Sequence, residues 1–125
     1  MLIISFLWTS AAFLSGNKSC TRRYWPEEYA KRFKEGLVVQ AWNQLPRAHG
    51  SPIGVVRLTQ KPYKESTSNM PAEDYENEGL AWMERQGMKI QGVSPREFWE
   101  HWKAADEVVY VVRFKKLEAS GIFYN

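Results

Sequence analysis

The chain begins with an apolar run, LIISF at residues 2–6, whose β-branched residues predict a buried strand. TSAAFLSG follows as a short helix, with Thr9 or Ser10 placed to cap it and Gly16 to end it. KSCTRRYW reads as extended. PEEYAKRFKEG then switches to helical punctuation: Pro26 suits a first turn, Glu27 and Glu28 lie at its positive end, Lys34 lies near the other end, and Gly36 closes it. Tyr29 and Phe33, four apart, share a face. LVVQAW and IGVVRLTQ read as strands joined by the surface loop NQLPRAHGSP, and KPYKESTSNMP reads as a second polar connection. Helix is expected between Ala72 and Gln86, with a bend at Gly79. VSPREFWEHWKAA is the clearest helix. Ser94 and Glu97 have capping-box spacing and Pro95 fits the first turn. Phe98, Trp102 and Ala105 share its apolar face, which makes Trp99 and Trp102 packing residues rather than a platform for a base. EVVYVVRFKKL closes the pattern as an interior strand.

Strands from both ends of the chain, with short helices between, predict an α+β domain over residues 1–125, built on a curved sheet or barrel with helices against its ends. There is no repeat, no low-complexity stretch and no linker long enough to separate two domains. With 44% apolar and 25% charged residues, a chain of 125 residues can bury one core and stay soluble. The apolar amino terminus has no Lys or Arg before it and is too short to span a bilayer, so it reads as strand and helix, and no membrane partner is expected. One cysteine, Cys20, leaves no intrachain disulfide and fits a reducing, cytoplasmic compartment. His49 and His101 are far apart with no Cys/His cluster near them, so neither a metal site nor a cofactor is expected.

Charge and aromatic content add candidate chemistry. The net charge of +3 and pI of about 9.0 are compatible with a polyanionic partner. Basic residues crowd between Lys18 and Lys34 and acids at Glu73, Asp74, Glu76 and Glu78, an asymmetry that equally describes two solvated faces. Lys18 and Thr21, three apart, can converge around a turn. A partly desolvated lysine could then take the hydroxyl proton and leave a nucleophile; the alternative is a solvated lysine beside a strand threonine. Arg22 and Arg23 offer planar forks for phosphate, and Tyr24 and Trp25 could stack on bases, unless Trp25 belongs to the core. Six tryptophans are more than a small core needs, so some are candidates for a groove or pocket. His101 is expected on an exposed face.

The stretch FLWTSAAFLSGNKSCTRRYW resembles the opening of the ASCH domain family. That opening reads roughly as a helix ending in Gly-x-Lys-x-x-Thr-x-Arg, and the matching positions here are Gly16, Lys18, Thr21 and Arg23. YENEGL is similar to the family's later Glu-Gly element, with Glu78 as its acid and Glu73 and Glu76 near enough to compete for the role. VVYVVRF fits the closing strand. The resemblance, to small bacterial stand-alone members, implies a PUA-like small β-barrel with short helices packed at its openings. It also implies a cleft suited to RNA or a modified nucleobase. In that cleft Lys18, Thr21 and Glu78 would be catalytic, and Gly16, Arg22, Arg23 and Trp25 would bind substrate. Some members are amidohydrolases that remove the acetyl group of N4-acetylcytidine; others are reported as ribonucleases or coactivator modules. The expectation is therefore a protein that binds RNA or a modified nucleobase or nucleotide, with amidohydrolase and ribonuclease activity as alternatives for the same cleft. The chain is longer than the small amidohydrolases. Its helix at residues 26–35, its NQLPRAHGSP loop and a long segment before the last strand are additions that can reshape that cleft.

Overall fold

A computed structural model describes residues 1–118. Six strands and five α-helices follow one another in these residues: β1 Ile3–Ser5, α1 Ser10–Leu14, β2 Cys20–Arg23, α2 Glu27–Ala30, β3 Val38–Trp42, β4 Pro52–Leu58, β5 Tyr63–Ser66, α3 Asp74–Asn77, α4 Leu80–Arg85, α5 Pro95–Ala105 and β6 Val108–Lys116. The strands form one sheet in the order β1-β3-β4-β6-β2, with β5 also on β6. The β1–β3 pair is parallel and all others are antiparallel. The result is a mixed α+β fold whose sheet curls into a half-barrel.

β6 organises the sheet. It carries β2 along one side, and on the other it carries β5 on its first half and β4 on its last three paired residues. A strand covered on both faces reads as a continuous apolar run rather than an alternation, and Val109, Tyr110, Val111 and Val112 are all buried. β3 is buried on one face and alternates, with Val39 and Ala41 turned inward. The curl closes on Phe6, Phe13, Phe33, Val56, Leu58 and Phe114, where the Phe6 and Phe114 rings stack at 5.5 Å. A second cluster, with Met70, Tyr75, Leu80, Met83 and Trp99 at its centre, packs α3, α4 and α5 together. No helix among the described residues is long and apolar enough to cross a membrane.

Three local expectations change. Residues 61–71 are not merely a polar connection, because Tyr63–Ser66 forms β5. Its side chains are polar because they meet charged groups, Arg22 at Glu65 and Arg113 at Tyr63, so the apolar alternation that marks a strand is missing. The helix at residues 26–35 lasts only through Ala30. Beyond it the bonds tighten to a three-residue span (Arg32 to Tyr29, Phe33 to Ala30), which turns Phe33 inward onto Trp25 at 4.3 Å. Thr9 precedes α1, but its hydroxyl donates back to the Phe6 carbonyl instead of capping the helix. Ser94 does cap α5, accepting from the Glu97 N–H at 3.1 Å.

The bend expected at Gly79 separates α3 from α4. Gly79 has φ of +96°, and a Cβ added there would lie 2.6 Å from Ala12 Cβ. Gly79→Ala is expected to cost about 2–3 kcal/mol from backbone strain and overpacking together. Urea denaturation followed by circular dichroism measures this; a loss under about 0.5 kcal/mol would mean that α1 and α4 can part freely.

Candidate functional site

β1 and β2 lie at the two ends of the sheet order, and among the described residues the outer edge of β2 pairs with no strand. Arg23 links β2 to β1, its Nη2 donating to the Ser5 carbonyl. Alternation along β2 sends Cys20 and Arg22 to one side and Thr21 and Arg23 to the other. Lys18 precedes the strand, and its Nζ lies 5.3 Å from the centre of the Phe6 ring that the Arg23 guanidinium also faces, at 6.0 Å. The Phe114 N–H donates to the Ser19 carbonyl at 3.0 Å, and this fixes the antiparallel phase. In that phase the backbone groups of Cys20 and Arg22 point away from β6, toward the open edge. The Arg22 carbonyl accepts from Arg23 Nη1 at 2.8 Å, and the Arg22 N–H faces the same edge.

On the other side of β2 lies a buried charge network. Arg22 donates through Nε to Glu65 at 2.8 Å, through Nη1 to Glu78 at 2.9 Å and through Nη2 to Asp74 at 2.5 Å. Lys18 Nζ donates to the Glu78 side chain at 3.1 Å and to the Glu78 carbonyl at 2.9 Å. Arg113 donates to both oxygens of Asp74 and to the Tyr63 hydroxyl. Three cations thus meet three carboxylates with little water between them, the arrangement that makes buried charge tolerable. Burial alone disfavours the Arg22 charge, but its bonds to Glu65 and Asp74 and the charge of Glu78 outweigh this and hold its pKa above the ordinary value. Asp74, although desolvated, is pulled down to about 2 by Arg113, Arg22 and Asn77. Lys18 goes the other way: desolvation lowers its pKa despite the opposing charge of Glu78.

A cleft of about 560 Å³ opens beside this network. Lys18, Thr21, Arg23 and Glu78 lie along its floor, and Phe6, Trp8, Tyr24, Phe98 and Trp102 form its walls. Leu7, at φ of +49°, turns the chain out of β1 into the short 3-10 turn that carries Trp8. Trp8 meets Phe98 edge-on at 5.9 Å. Trp102 Nε1 donates to the Tyr24 hydroxyl at 2.9 Å, and that hydroxyl donates to Glu107 at 2.8 Å. The Thr21 hydroxyl oxygen accepts from Arg23 Nη1 at 2.5 Å, which leaves its proton free to be donated.

The structure brings Lys18, Thr21, Arg22, Arg23 and Glu78 to one cleft. Glu78 is buried, whereas Glu73 and Glu76 are exposed, so the competition among the three resolves by burial. Trp25 is not in the cleft; it stacks on Phe33 against the sheet interior. Gly16 is not in it either. At φ of +86° it ends α1, and its N–H returns to the Phe13 carbonyl. Arg22 borders the cleft, but its side chain is spent on three carboxylates rather than held out for phosphate. Trp102 reverses its expected role by lining the cleft, while Trp99 is buried as expected. Exposed His101 also reaches the cleft margin. Asp74, Glu65 and Arg113 went unrecognised in the sequence. The one available signal was the four-residue spacing of Asp74 and Glu78, which puts both carboxylates on one helical face.

No family model and no curated protein matches the chain. Among solved structures it is similar to the crystal structure of protein EF3133 from Enterococcus faecalis V583, described with the family model DUF984. The likeness has a TM-score of 0.56 at 14% sequence identity and covers 94% of this chain and 82% of that one. At that identity the likeness concerns the fold.

Proposed function

We propose that the cleft takes one modified pyrimidine base, as a nucleoside, and hydrolyses the amide on its acylated exocyclic amine. The observation that carries this reading is the buried Lys18–Glu78 pair in the same cleft as Thr21, which Phe6, Trp8, Tyr24, Phe98 and Trp102 also line. The ASCH-like motif supports it. On this reading the curled sheet is the PUA-like barrel that the motif implies, and the buried unpaired Cys20 fits a cytoplasmic setting. Binding of an RNA strand draws less support: Lys18 and Arg22 are buried, and Arg23 donates to Thr21 and to the Ser5 and Arg22 carbonyls.

Charged Lys18 has three N–H groups, and Glu78 takes two. Neutral Lys18 keeps both bonds and still offers a lone pair, and burial favours that form. In the proposed reaction neutral Lys18 takes the Thr21 hydroxyl proton, through a contact that forms with substrate in place. Thr21 Oγ attacks the acyl carbon, and the carbonyl electron pair moves onto oxygen. Arg23 and the Arg22 N–H are the donors for that oxyanion. Collapse breaks the C–N bond, and the departing amine takes the proton from Lys18, leaving an acyl ester on Thr21. Water then attacks the ester and gives its proton to Lys18. Cleavage of the ester returns that proton to Thr21 and frees the acid.

Turnover of N4-acetylcytidine, followed as acetate release against pH, tests the proposal. The base must be neutral, so the rate should rise with pH through the lowered pKa of Lys18. Glu78→Gln removes the charge that raises this pKa, so its ascending limb should move to lower pH. A limb that moved upward, or no turnover by the wild type, would defeat the assignment.

A further inference from the structure

The cleft floor is rich in ionised groups, but its mouth is not. Its exposed lining side chains are Leu7, Trp8, Tyr24, His101, Ala105 and Glu107; none is a Lys or Arg, and Glu107 is the one carboxylate among them. Glu107 is held in place. Its N–H donates to Thr67 Oγ1 at 2.9 Å, its carbonyl accepts from the Thr67 N–H at 2.8 Å, and its Oε1 accepts from Tyr24. Oε2 has no hydrogen-bond partner among the described residues. Lys18, Arg22 and Arg23 line the cleft below the mouth and are not exposed, and other basic residues lie away from it; Arg57 and Lys115, for example, face each other across β4 and β6.

Resting on the nucleobase reading above, we propose that Glu107 is a specificity residue that selects an uncharged nucleoside over its phosphorylated forms. With the base against the cleft floor, the sugar lies at the mouth, where Oε2 can accept from its hydroxyls. A 5′-phosphate, or the backbone of a polynucleotide, would instead bring negative charge toward a fixed carboxylate. Between partly solvated charges a few ångströms apart, such repulsion corresponds to about a tenfold loss of affinity, and salt screens it.

The test compares cytidine, cytidine 5′-monophosphate and a short oligocytidylate. Binding is read from cleft tryptophan fluorescence at low salt and pH 8. The wild type should bind cytidine about tenfold more tightly than the monophosphate, and more tightly than the oligonucleotide. Glu107→Gln keeps an acceptor for Tyr24 but removes the charge. It should shrink the gap to about threefold or less, mainly by tightening the monophosphate. Equal wild-type affinities, tighter binding of the oligonucleotide, or an unchanged ratio in Glu107→Gln would overturn the role of Glu107 while leaving the nucleobase reading in place. If none of the three ligands binds, the nucleobase reading falls and takes this inference with it.

Discussion

Arg22→Met is expected to destabilise the protein by about 3–5 kcal/mol, the range for removing one partner from a buried ionic cluster. The Arg22 side chain is fully buried and, among the described residues, is the only group that links Glu65, Asp74 and Glu78. Methionine roughly fills its volume, so the loss reports charge rather than a cavity. The carboxylates do not suffer equally. Glu78 keeps Lys18, and Asp74 keeps Arg113 and Asn77, but Glu65 has no other hydrogen-bonded cation among the described residues. The double variant Arg22→Met, Glu65→Gln should therefore recover part of the loss. Urea unfolding measures both; a single-variant loss under about 1 kcal/mol would mean that water reaches the network. Acid should expose the same dependence. Asp74 is depressed to about 2 from an ordinary 3.8, so its contribution is present above about pH 4 and is lost as the pH falls through about 2. Asp74→Asn should flatten the fall in stability across that window.

Thr21→Ala should lower the turnover of N4-acetylcytidine by about a thousandfold or more, because it removes the proposed nucleophile itself. Thr21→Ser retains a hydroxyl at the same position and should keep measurable turnover. The alanine variant should still bind the nucleoside, since the aromatic walls and Arg23 remain. Thr21 is paired with Val112 in the β2–β6 ladder through its backbone, so the strand does not depend on the hydroxyl. Steady-state kinetics with both variants, alongside their thermal melts, separates lost chemistry from lost fold. An alanine variant with full turnover would remove Thr21 from the mechanism.

Much of the fold was legible because its signals are local. The β-branched runs at Ile3–Ser5, Val38–Trp42 and Val108–Lys116, the cap at Ser94 and the bend at Gly79 each follow from a few adjacent residues. β5 was hidden because its side chains serve a polar network that only the folded chain assembles. The site divides in the same way. Lys18, Thr21 and Arg23 share one short stretch, and their spacing drew notice. Glu78 acquires its partners 56 and 60 residues away in sequence, and Asp74 meets Arg113 across 39. No local pattern encodes those distances. Trp102 shows the same limit, since its spacing from Phe98 gives their common face but not that this face borders a cleft.

The intact mass of the protein, quenched during turnover of N4-acetylcytidine, bears most directly on Thr21 and the cleft around it. A covalent intermediate predicts a fraction of chains heavier by one acetyl group, the added mass mapping to Thr21 and absent from Thr21→Ala. Acetate release that continues in Thr21→Ala, with no acetylated chain in the wild type, would contradict it.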